Sequence, residues 1–104
     1  MTDQHLSELY RLKGREWVEA DSAASLLEET KSANLSQMML RLGDMPVSRA
    51  EMIAKGSAEY KIFVGEMVRL RKEANRLKVD LEWIRMRFQE QMSAEANNRR
   101  EMGL

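Results

Sequence analysis

Apolar residues recur at alternating three- and four-residue steps from residue 53 to residue 88, and this seam is the strongest pattern in the chain. With Ile53 at heptad position a, that position continues through Tyr60, Met67, Ala74, Leu81 and Phe88. Position d takes Gly56, Phe63, Leu70, Leu77, Ile84 and Gln91. Only Gly56 and Gln91 break the rule, so the seam persists for the length that marks a coiled coil. Its start carries several cues. Gly43 and Asp44 close what precedes, and Met45 before Pro46 is pushed towards extended backbone. Ser48 stands as an N-cap with Glu51 three residues on, and Val47 and Met52 occupy the positions of a hydrophobic staple. The spacing predicts one helix over residues 49–92, with Gly56 as a place for a bend or a close crossing.

An earlier and weaker stripe runs through Leu6, Leu9, Tyr10, Trp17, Ala20, Ala24 and Leu27, then Leu35, Met38, Met39 and Leu42. It predicts a helix over residues 3–42, capped by Thr2 or Asp3. Gly14 costs it about 1 kcal/mol relative to alanine and marks a point where it bends or restarts. Polar residues at 22–25 and 30–36 thin its middle, whereas Ala20, Ala23, Ala24 and Ala33 permit close approach of another helix. A connection at 43–48 is short enough to make the two helices antiparallel neighbours. The second is the longer, at about 75 Å against about 60 Å. Residues 93–104 form a polar tail in which only Met102 and Leu104 are large and apolar. The fold class is therefore all-α, a long antiparallel helical hairpin with a coiled-coil second helix in one domain.

Charge adds an assembly expectation. The g flank carries Glu59, Glu66, Glu73 and Asp80, and the e flank carries Arg71, Lys78 and Arg85. In a parallel dimer Glu66 meets Arg71, Glu73 meets Lys78, and Asp80 meets Arg85, whereas antiparallel pairing of this seam brings like charges together. Charged helix faces are commonly just solvated, and the two readings stand level. Because the thin first stripe leaves part of the seam uncovered, the pattern predicts a homodimer, with a monomeric hairpin as the alternative.

Composition narrows the function classes. The 17 basic and 17 acidic side chains cancel, so no global field recruits nucleic acid or a membrane surface. Residues 1–48 hold 5 basic and 8 acidic groups, and residues 49–104 hold 12 and 9. There is no cysteine, which excludes disulfide and thiolate chemistry and suits a cytoplasmic setting. Neither a secretion leader nor a membrane-length apolar run is visible. The nine methionines suit adaptable packing or partner-binding surfaces.

No catalytic or metal-binding constellation emerges. His5 is the single histidine, and only common carboxylates lie within helical reach of it. Glu16, Glu19, Asp21, Glu28 and Glu29 lack the histidine or glycine-rich loop that acid–base or cation chemistry needs, and read as solvated faces. The serines lack a nucleophile elbow. The chain is thus expected to be no enzyme and to use no cofactor. Trp17 falls on the first stripe and reads as core. Trp83 falls at position c, pointing away from the seam, where packing on another helix and a contact surface are equally open. Arg69, Arg71, Lys72, Arg76, Lys78, Arg85 and Arg87 form a basic run able to follow a phosphate backbone, although Glu66, Glu73 and Asp80 interrupt it.

The string Ala74-Asn75-Arg76-Leu77-Lys78-Val79, with Glu82-Trp83-Ile84-Arg85, Phe88, Ser93-Ala94-Glu95-Ala96 and Arg99-Arg100-Glu101-Met102, resembles small helical proteins of temperate phages and prophages. The resemblance covers residues 57–104 and carries over no functional residue. It implies a phage origin, and some of the proteins it resembles lie near recombination genes. Together these features lead to an expected non-enzymatic interaction or adaptor protein that binds a protein of phage or host DNA metabolism. A nucleic-acid-binding recombination accessory using the basic run, and an inhibitor of a host defence complex, are the alternatives.

Overall fold

A computed structural model describes residues 3–103, with side chains from residue 5 onwards. These residues form three helices and no strand: α1 (Asp3–Arg41), α2 (Val47–Lys55) and α3 (Ala58–Glu101). Helices α1 and α3 lie side by side and antiparallel. Arg41 reaches Glu59 at the closed end, Arg71 reaches Asp21 and Glu28 in the middle, and Lys78 lies over the Trp17 ring. The result is an all-α hairpin 81 Å long and under 20 Å across. Its radius of gyration of 23.1 Å far exceeds the about 13 Å of a compact domain this size.

Helix α1 runs without interruption. Gly14 is absorbed because it faces α3, where a Cβ would lie 3.8 Å from Leu81 Cδ1. The polar middle is absorbed too: Thr30 Oγ1 donates to the Leu26 carbonyl at 2.9 Å, a local bond that leaves the helix intact. Gly43 then turns the chain with φ +89°, a conformation that costs a residue with a Cβ. The side chains of Thr2 and Asp3, expected to cap this helix, and Leu104 lie outside the described residues.

The expected single helix over 49–92 is corrected in three ways. First, its N-cap is Pro46, without a side-chain capping bond, while Ser48 lies inside α2 and is exposed. The Pro46 carbonyl already accepts from the Arg49 and Ala50 N–H groups, so the helix starts before Ser48. Val47 and Met52 are both exposed, so no staple forms. Second, the helix breaks at Gly56–Ser57. Ser57 is extended and serves both neighbours: its hydroxyl donates to the Ala54 carbonyl at 2.6 Å and accepts from the Tyr60 N–H at 3.2 Å. Third, helix continues through most of the polar tail to Glu101.

The break changes the phase of α2 relative to α3. Ala50 and Ala54 are buried in α2, and Ile53, placed on the seam by the heptad, is 41% exposed. From Ala58 onwards the seam holds. Ala74, Leu77 and Ile84 are buried, and Tyr60, Phe63, Met67, Leu70, Leu81 and Phe88 are half-buried. What covers them is α1, through Leu6, Ala24 and Met38. Ala24 and Ala74 have no exposed surface at all, and such small residues let the helices approach closely. Of the other alanines expected to do this, Ala20 is half-buried while Ala23 and Ala33 face solvent. The core is thin, since no large side chain among the described residues is fully buried.

Candidate functional site

The seam is occupied within one chain, and the charges assigned to a parallel partner are used at home. Glu66 binds Arg69 at 2.5 Å, Glu73 binds Arg76 at 2.6 Å, and Arg85 binds Glu82 at 2.7 Å, each pair one helical turn apart. These bonds hold the Glu66 and Glu73 carboxyls below the usual carboxylate range and raise their arginines. Arg71 turns to α1 instead. Its guanidinium donates to Asp21 at 2.7 Å, to both Glu28 oxygens at 2.8 and 2.9 Å, and to Ser25 Oγ at 3.2 Å. The Glu28 bond, then the Asp21 bond, raises Arg71 well above its ordinary value, and Arg71 lowers Glu28 in return. This clamp between helices was not foreseen. Its trace in the sequence is the i, i+4, i+7 spacing of Asp21, Ser25 and Glu28, which puts three acceptors on one face of α1.

Most of the seven cations of the basic run are engaged within the chain. Arg69, Arg71, Arg76, Arg85 and Arg87 each hold a carboxylate of their own chain. Lys78 sits 5.8 Å from the Trp17 ring centre, in cation–π range. That leaves Lys72 as the member of the run with neither an ion pair nor a ring contact among the described residues.

Trp17 is half-buried between the helices, as its stripe position indicated. Trp83 behaves differently. It stands on the outer face of α3, 59% exposed, with Val79 at 68% and Met86 at 51%. The spacing i, i+4, i+7 aligns the three into one ridge on the side opposite Leu77 and Ile84. A shallow groove lined by Asn75, Lys78, Val79, Glu82, Trp83 and Met86 has an almost wholly apolar wall. On the other side of the indole a second groove descends to Leu6, Leu9 and Ile84. Arg87 lies 5.8 Å from the Trp83 ring centre, in cation–π range, and leaves the indole exposed. The indole is thus large, exposed, set between apolar neighbours and rimmed by arginine.

Among the described residues, no three His, Asp or Glu side chains are grouped to hold a metal, and no helix is long and apolar enough to cross a membrane. His5 is exposed near one end of the hairpin. No known protein family, curated protein or solved structure matches the chain.

Proposed function

We propose that this chain is a non-enzymatic helical interaction protein that binds other protein surfaces through the outer faces of its hairpin, with Trp83 as the principal anchor. One observation carries the reading: Val79, Trp83 and Met86 form an exposed apolar ridge on a helix whose opposite side is already packed. Exposed apolar clusters rimmed by polar residues are a property of interaction sites. The hairpin offers a second, smaller apolar face on α1, where Leu26, Ala33 and Leu40 are exposed. The process served, phage or host DNA metabolism, rests on the resemblance of residues 57–104 alone.

Direct nucleic-acid binding is the weaker reading, because the carboxylates beside the arginines from 69 to 87 cancel much of the local field that draws a phosphate. Capture of a defined partner from host lysate, repeated with Trp83→Ala, tests the proposal. Retention by the parent and at least tenfold loss in the variant are expected. Undiminished capture by Trp83→Ala refutes the role of this face. Salt-sensitive binding of the parent to a 30-nucleotide single- or double-stranded probe overturns the protein-binding reading in favour of nucleic acid.

A further inference from the structure

We infer that the outer face of α3 docks on the same face of a second copy, the two helices running antiparallel about a two-fold axis at Trp83. This rests on the reading of that face as a contact surface and names its first occupant. Three observations point to a second copy.

The first is area. The chain exposes 7820 Å², whereas a compact monomer of its mass exposes about 6,000 Å². That surplus comes with the elongated shape as a whole; a standard interface hides about 800 Å² per partner, about a tenth of the exposed area, and an outer helix face offers it without disturbing the hairpin. The second is the continuity of the ridge. Facing residues lie about equally far before and after Trp83, so Val79, four before, packs beside Met86 of the other copy, three after, and the two indoles meet at the axis. The apolar part of the stripe is thereby matched with itself, as an isologous contact requires.

The third is charge, which also fixes the direction. Arg76, seven residues before Trp83, falls opposite Glu90, seven after. Asp80, three before, falls beside Arg87, four after. Arg76, Asp80 and Arg87 lie on one flank of the ridge and Glu90 nearer its middle; their side chains are 44–65% exposed, each exchanges a weak exposed partner on its own helix for the one across the axis, and the symmetry repeats each pair. On the other flank Glu82 approaches its own copy near the axis, where Arg85 already neutralises each carboxylate at 2.7 Å. A parallel arrangement of the same face instead stacks Lys72 on Lys72 and Glu90 on Glu90 along the middle of the stripe. The antiparallel arrangement sets Lys72 opposite Ala94.

The test is the solution mass of the full chain by sedimentation equilibrium from 1 to 200 µM, with far-ultraviolet circular dichroism to confirm folding. The parent approaches twice its 12.1 kDa. Val79→Lys, a change at an exposed helix position, keeps its helical signal and weakens association at least tenfold. Asp80→Arg alone and Arg87→Asp alone each weaken it several-fold, and the double variant restores it, because the exchanged charges meet across the axis. A parent that stays monomeric, a Val79→Lys chain that still dimerises, or a double variant that fails to recover overturns the inference. A monomeric parent whose partner capture still depends on Trp83 overturns self-docking alone. A monomeric parent with capture indifferent to Trp83 overturns the contact surface as well.

Discussion

Leucine-to-alanine exchange at two positions separates the packed side of the hairpin from its solvent side. Leu77 is 7% exposed beneath α1, and Leu40 is 79% exposed near the end of that helix. The exchange deletes three carbons, worth roughly 2.4 kcal/mol of transfer free energy if they are fully buried. At Leu77 nearly all of that is lost. The cavity contribution is small because a two-layer hairpin has solvent within one side chain of its core and can close the gap. The expected loss is about 2–3 kcal/mol, at the low end of the range for core leucines. At Leu40 about a fifth of the transfer free energy is at stake, ~0.5 kcal/mol, and the higher helix propensity of alanine offsets part of it. Urea unfolding followed by circular dichroism at 222 nm, at one fixed protein concentration, reads both losses from the shift in midpoint. Equal losses at the two positions, or a Leu77→Ala chain within about 0.5 kcal/mol of the parent, refute the packing of α1 on this seam.

Three glycines give opposite signs. Gly65→Ala and Gly14→Ala each stabilise by about 1 kcal/mol, since a Cβ at Gly65 meets nothing within 4 Å and one at Gly14 makes ordinary contact with Leu81. Gly43→Ala destabilises by about 1 kcal/mol because its φ of +89° strains any Cβ. Each appears as a change of about 4–8 °C in Tm. Ser57→Ala removes the hydroxyl that caps α3 and bonds the end of α2, and costs about 1 kcal/mol by the same melts. The Glu28 carboxyl is held below its ordinary 4.5 by the Arg71 hydrogen bond. A depressed folded pKa stabilises fully above the unfolded value and loses that contribution as pH falls through the folded one. Glu28→Gln therefore lowers Tm at neutral pH and flattens its decline in acid, whereas an unchanged acid slope removes the clamp from the stability of the hairpin.

The legible and illegible parts of this chain divide by what their signals depend on. The seam from Tyr60 to Phe88 shows in sequence because its residues are large and strictly spaced, and the structure buries or half-buries every one. The outward aspect of Trp83 follows from the same register. Helix α1 is harder to read. The positions it turns to α3 include Lys13, Lys31 and Asn34, half-buried beside small alanines, so its stripe is diluted although its packing is real. The break at Gly56–Ser57 was overshadowed by a stronger local cue at Ser48. That cue was idle because Pro46 had already started α2. The Arg71 clamp depends on the register between two helices, which no local pattern fixes. In sequence Arg71 is one more cation of the basic run, and only the packing of α1 brings Asp21 and Glu28 opposite it.

The account stands on α1 covering the α3 seam within one chain, and thiol cross-linking tests this most directly because the sequence has no cysteine of its own. Gly14→Cys together with Leu81→Cys, treated with a short bifunctional thiol reagent, is expected to close a link within single chains. Leu81→Cys alone is expected to give no linked dimer, even at concentrations where the chain self-associates, because that side of α3 is covered. Efficient dimer linkage through Leu81→Cys alone, without the intrachain product in the double variant, contradicts the hairpin packing and returns the seam to a parallel pair of chains.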